Sequence, residues 1–355
     1  MKKLFLVHTP FQLLSVLNII AEKFELNQCE IIFLHKNLEK YADSVDKKIK
    51  IYFFREIYEN IKFKNDILNR ISLIVYIFEV KRCLKKRIDN KICYNELFIP
   101  SKHISCNIIY NYLKKFNKIT LNIYDEGIGT YLENYFIGEG NMMYRILNKV
   151  FLEKFAWDER KKLYLYRPDL FDKKELTFEI EKIYYNKENY KKFGKLIDLE
   201  EKKKYIEAKI IILNQGNIFK EVENTNLLVE KFRKLLLKSQ IIIKLHPRLG
   251  LSSSQEKITK SKLSIPFEMI YPDLEIENKI VVSMYSTGCL TPYILSDKKP
   301  NIIFLGNLNN NGNYDNVFNS KFFKRIVDSY PKNKMFFPKT EEELDEIVNL
   351  LKVRI

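Results

Sequence analysis

Leu4-Phe5-Leu6-Val7 is a short apolar run of β type, residues 11–24 carry apolar side chains at helical spacing, and Glu30-Ile31-Ile32-Phe33-Leu34 is a second β-like run. Strand, helix and strand in that order predict a parallel α/β sheet. The same alternation continues outward. Residues 51–54, 96–99 and 120–124 read as strands, and residues 66–86 and 105–115 between them read as helices. Residues 173–207 are dense in charge and poor in apolar continuity, which predicts a linker carrying short helices. The alternation then restarts, with strands over 209–213, 240–245, 280–284 and 300–305 and a helix over 224–238. A last amphipathic helix spans residues 341–352, opened by Thr340 and three consecutive glutamates as cap and acidic first turn. The expected organisation is therefore α/β throughout, of GT-B type, with two Rossmann-like domains facing a central cleft. Residues 1–172 form the first, 173–207 the linker, 208–340 the second and 341–355 a C-terminal helix.

Composition narrows the function. Of 355 residues, 46% are hydrophobic, enough for a real core. The net charge of +16 suits anionic partners such as nucleic acid, acidic lipid or a sugar nucleotide. Tyr and Phe fall mostly at core-like spacing rather than interleaved with basic residues, so a nucleic-acid partner is not expected. Lys81, Arg82, Lys85, Lys86 and Arg87 form the densest basic cluster, placed to rest on the inner face of a membrane. Five cysteines, an odd number without a CxxC pair, fit a reducing cytoplasm better than a disulfide framework or a zinc site. The first residues break at His8 and Pro10 and read as a strand, not a signal peptide.

Five stretches carry candidate chemistry. Asp125 and Glu126 follow the strand over 120–124 and precede Gly127. Ligands bind at the carboxyl ends of parallel strands, and adjacent carboxylates raise one another's pKa, as a general base requires. A turn with an Asp cap and an exposed Glu is the equal alternative. His246 closes the strand over 240–245, fixed by Pro247 and followed by Arg248, which can pair with a phosphate. Ser286 and Thr287 stand between a strand and a helical run, where helix N–H groups receive phosphate or are merely capped. Thr9 and Gln12 follow the first strand, as acceptor contacts or as a helix cap with Pro10 at its first position. Glu268, after Pro266, is a candidate for ribose hydroxyls. There is no DxD motif, P-loop or GxGxxG.

Taken together and in this order, these motifs resemble glycosyltransferase family 52, the bacterial lipooligosaccharide and capsule sialyltransferases. The segments that carry the resemblance are Phe5 to Leu14, Asp125-Glu126-Gly127, His246-Pro247 and Ser286-Thr287. The resemblance implies a GT-B fold and inverting, metal-independent transfer from CMP-sialic acid to a terminal sugar, galactose, of a bacterial surface glycan on lipid or capsule. It implies Glu126 as base with Asp125 in support, and His246 as acid against the CMP phosphate. Ser286 and Thr287 would hold that phosphate and Glu268 the ribose. Gln215 and Gly216, in the loop opening the second domain, join Pro247 and Arg248 among the donor contacts. No cofactor or metal is expected; the inner membrane surface and a second copy of the chain are further candidate partners. A hexosyltransferase using a UDP-sugar is the alternative.

Overall fold

The computed structural model describes residues 2–55, 66–88, 92–101, 103–131, 159–172, 177–213, 226–232, 240–244, 259–260, 266–284, 286–308 and 320–352. His246, Pro247, Arg248, Gln215 and Gly216 lie outside these residues. The chain divides into two compact units, Met1–Asn189 and Tyr190–Ile355.

The first unit is a parallel sheet of seven strands in the order β3-β2-β1-β4-β5-β6-β7. They are β1 Lys2–Val7, β2 Cys29–Phe33, β3 Lys50–Phe53, β4 Tyr94–Ile99, β5 Thr120–Tyr124, β6 Arg160–Leu165 and β7 Glu179–Lys182. Leu4 to Val7 and all of β2 are buried, as expected of parallel strands covered on both faces. Helices α1 (Pro10–Lys23), α2 (Asp66–Arg87) and α3 (Ile104–Lys114) connect the first strands. The chain leaves β1 toward β2 and β3, then returns to the other side of β1 to lay down β4. The strand order thus reverses between β1 and β4, the position at which open α/β sheets bind ligands.

The second unit repeats the plan with six parallel strands, β10-β9-β8-β11-β12-β13. They are β8 Ile210–Leu213, β9 Ile241–Lys244, β10 Thr259–Lys260, β11 Ile280–Ser283, β12 Asn301–Phe304 and β13 Met335–Phe336. Its switch point lies between β8 and β11. Leu344, Val348 and Leu351 of the last helix, Glu341–Lys352, enter the same core as Ile210, Ile243 and Val282. That 4- and 3-residue spacing is one face of a helix, so residues 341–352 are an integral part of this unit.

The segment expected as a linker is divided between the units. Residues 179–182 pair with β6 as the edge strand of the first sheet. Residues 199–207 form a helix of the second unit, with Tyr205 fully buried and Lys202 paired to Asp273 at 2.8 Å. An edge strand and a solvent-facing helix each need few apolar residues, so charge density conceals both.

Candidate active site

Asp125 continues the ladder beyond β5, its N–H bonded to the Tyr164 carbonyl at 2.9 Å, and is fully buried. Its carboxylate accepts from the Gly127 N–H at 2.8 Å, the Tyr166 N–H at 3.3 Å and the Tyr131 hydroxyl. Gly127 makes this turn possible, because its φ of 121° lies where side-chain-bearing residues are strained. Burial nevertheless lifts the Asp125 carboxyl to about 6 against those stabilising bonds.

Glu126 points the other way. Its Oε2 accepts from Gln12 Nε2 at 3.1 Å, and its own N–H donates to Thr130 Oγ1 at 3.2 Å. Burial, and then the Asp125 charge beside it, push the Glu126 carboxyl up to about 8. The two adjacent carboxyls therefore stand in different environments: Asp125 is fully buried behind three donors, and Glu126, raised further, is held by Gln12.

Thr9 and Gln12 are committed inside the protein. Thr9 Oγ1 accepts from the Gln12 N–H at 3.2 Å, and Gln12 Oε1 accepts from the N–H groups of Thr9 and His8, a capping box with Pro10 behind it. Gln12 is 4% exposed, so its amide spans α1 and Glu126 instead of facing solvent. It therefore positions the carboxyl rather than presenting itself to a ligand.

Two histidines lie beside this pair; sequence reading took His8 only as part of the stretch after the first strand and passed over His103. His8 follows β1 directly, and His103 follows β4. Their rings lie 4.6 Å apart with Ser105 Oγ between them, 2.9 Å from His8 Nε2 and 2.7 Å from His103 Nδ1. The signal was present: in a chain with four histidines, each of these two stands just past an apolar strand, as His246 does. Together His8, His103, Ser105, Asp125 and Glu126 sit at the carboxyl ends of β1, β4 and β5, at or beside the switch point.

In the second unit, Ser286 caps a turn of helix over Thr287–Leu290, its Oγ accepting from the Gly288 N–H at 3.2 Å. Ser283 fixes the approach, accepting from the Ser286 N–H at 2.8 Å and donating to the Leu213 carbonyl at the end of β8 at 3.1 Å. Ser286 and Thr287 therefore stand at the switch point of this sheet. Glu268, on the short helix Phe267–Ile270, bonds to the Thr291 side chain; burial raises its carboxyl, and the Lys244 charge partly offsets that. Lys244 ends β9, is 5% exposed, and has its ammonium brought down to about 8 by burial. Among the described residues, no group of three or more His, Cys, Asp or Glu side chains is placed to share a cation.

Two parallel α/β sheets, each flanked by helices, define a GT-B-type fold. Solved structures of the same build include the UDP-GlcNAc 2-epimerase of Methanocaldococcus jannaschii, 11% identical, covering 98% of this chain and 92% of that one with a TM-score of 0.54. They also include the S. aureus MnaA–UDP co-structure, 8% identical over 99% and 88% of the two chains, TM-score 0.53. A third is a Polygonum tinctorium UDP-glucosyltransferase in complex with 3,4-dichloroaniline, 8% identical over 99% and 93%, TM-score 0.50. No curated protein matches the sequence. The sequence profile of the alpha-2,8-polysialyltransferase family matches residues 3–303, and the chain belongs to that family. It is a nucleotide-sugar-dependent glycosyltransferase, and the resemblance to bacterial sialyltransferases read from its motifs is borne out at the level of family.

Proposed function

We propose that the enzyme transfers a sialyl residue from CMP-sialic acid with inversion, and that Glu126 is the base. The observation carrying this reading is the Asp125–Glu126 pair at the end of β5, with Glu126 raised to about 8. The acceptor hydroxyl attacks the anomeric carbon as its proton passes to Glu126, and the bond to CMP breaks on the opposite face. His246 protonates the departing phosphate, which Ser286 and Thr287 hold. Glu268 takes the ribose hydroxyls, and Gln215, Gly216, Pro247 and Arg248 complete the donor contacts. The buried Lys244 ammonium adds positive potential in the same unit. The description of the family, alpha-2,8-polysialyltransferase, supports a terminal sialic acid as acceptor alongside the galactose that the resemblance implies.

A UDP-sugar hexosyltransferase is the second reading, favoured by the UDP in the S. aureus co-structure and the UDP-sugar enzymes of similar fold. Donor screening separates the two. Product mass should show sialyl transfer from CMP-sialic acid to a sialyl-terminated oligosaccharide, undiminished in EDTA. Transfer from a UDP-hexose only, or loss on chelation restored by magnesium, would move the assignment to the second reading.

We propose also that α2 and α3 meet an anionic bilayer. They line a groove of about 590 Å³ edged by Lys81, Arg82, Lys85 and Lys115, and beside it Phe78 and Phe116 are 61% and 52% exposed. Basic side chains over exposed aromatics match a headgroup surface. Two members of the expected cluster are partly engaged elsewhere: Arg82 pairs with Glu79 at 2.7 Å, and Arg87 lies over the Phe54 ring. Among the described residues, no helix is long and apolar enough to cross a membrane. Reversing Lys81, Lys85 and Lys86 to Glu should lower co-sedimentation with phosphatidylglycerol vesicles about a hundredfold, at about 1 kcal/mol or more per residue. Unchanged sedimentation would reduce the cluster to an ordinary solvated face.

A further inference from the structure

Helix α1 carries a second buried amide, Asn18, which takes no part in its cap. Asn18 is 1% exposed, and Asn189, near the start of the helix Lys187–Gly194, is 7% exposed. Asn189 Nδ2 donates to Asn18 Oδ1 at 2.9 Å, and Asn18 Nδ2 donates to the Tyr166 hydroxyl at 3.0 Å. Tyr166 is buried as well, so every link is closed to solvent. Burying an amide costs free energy, and a leucine at position 18 would fill similar volume without that cost. A buried polar network that is satisfied in this way fixes one arrangement of the groups it joins.

Asn18 joins α1 to the segment that holds Asp125. Tyr166 lies just past β6, and its N–H donates to Asp125 Oδ2 at 3.3 Å. The next N–H, that of Arg167, donates at 3.1 Å to the Tyr131 hydroxyl, which donates in turn to the same carboxylate oxygen. Both bonds depend on where residues 166 and 167 stand, and the Tyr166 side chain is anchored by Asn18. Gln12 of the same helix holds Glu126. Helix α1 thus reaches both carboxyls, Glu126 directly and Asp125 through Tyr166. Asp125 is the charge that acts on Glu126; the Cys106 thiol, also close to it, is kept protonated by burial.

We propose that Asn18 is a positioning residue for the transfer reaction: through Tyr166 it holds the Asp125 carboxylate, and with it the charge beside the base Glu126. Asn189 holds the Asn18 amide in turn. At their burial neither amide meets a substrate. The proposal rests on the reading of Glu126 as the base.

The pH–rate profile tests it. Asn18→Leu removes both amide bonds at similar volume. With the segment after β6 loosened, Asp125 has weaker donors and ionises less readily, so less charge acts on Glu126. The maximal rate should fall about tenfold, the worth of one buried hydrogen bond, and the rising limb should move to lower pH. Tyr166→Phe deletes only the hydroxyl and should move the limb the same way, which keeps the test open if Asn18→Leu does not fold. In an Asp125→Asn background neither change should move the limb further, because the charge is already gone. KM for CMP-sialic acid should stay at the wild-type value throughout. A limb at the wild-type pH in the folded variants, or a full further shift on top of Asp125→Asn, overturns the proposal. Full turnover in Glu126→Gln would instead remove the base reading beneath it.

Discussion

Glu126→Gln should lower transfer by about 10²–10⁴-fold, the usual contribution of a general base, while calorimetry still registers CMP binding. The amide keeps the shape of the carboxyl and can still meet Gln12, yet it cannot take a proton. The pH profile carries a second signature. A base works deprotonated, and burial with the Asp125 charge holds Glu126 at about 8. The rate should therefore climb as pH rises toward 8, and this limb should vanish in Glu126→Gln. Removing the neighbouring charge with Asp125→Asn lowers the Glu126 pKa, so whatever activity survives should have its rising limb at lower pH. If Glu126→Gln retains full turnover, the base lies elsewhere, and Gln215 and its neighbours after β8 become the next positions to change.

Asp125→Ala should destabilise the first unit by about 3–5 kcal/mol, since each orphaned buried donor costs about 1–3 kcal/mol and neighbouring losses do not add fully. The donors are the N–H groups of Gly127 and Tyr166 and the Tyr131 hydroxyl, which itself accepts from the Arg167 N–H at 3.1 Å. Because two units need not unfold together, the readout is local: hydrogen exchange at the Gly127 and Tyr166 amides should quicken strongly in the variant. Native protection there would show that the carboxylate does not hold the turn. The pH dependence follows from the sign of the shifts. Both carboxyls are raised, Asp125 to about 6 and Glu126 to about 8, so the folded chain holds protons more tightly than the unfolded one. Their contribution is greatest below the unfolded carboxyl values of about 4 and is lost as pH rises through 6 and then 8. Glu126→Gln should flatten the upper part of that decline.

Much of this was legible in order along the chain. Leu4 to Val7, Ile31 to Phe33 and Ile210 to Leu213 are strands because a sheet covered on both faces needs continuous apolar runs. Leu344, Val348 and Leu351 mark a buried helix face because 3.6-residue periodicity is local. Thr9, Pro10 and Gln12 announce a helix start, since capping reaches only a turn ahead. β6 opens on Arg160-Lys161-Lys162 and β7 reads Glu-Ile-Glu-Lys, and their place in the sheet comes from pairing with distant strands, which no local pattern reports. The same holds at the site. Sequence alone determined that two carboxylates follow a strand and that a parallel α/β plan occurs twice, because both are properties of neighbouring residues. Tertiary structure decided that Asp125 is fully buried behind three donors, and that Gln12, 114 positions from Glu126, holds the neighbouring carboxyl. It also brought Ser105 Oγ to 2.9 Å from His8 Nε2, 97 positions away. Burial and hydrogen-bond partners set proton affinity, and both exist only once strands far apart in the chain lie side by side.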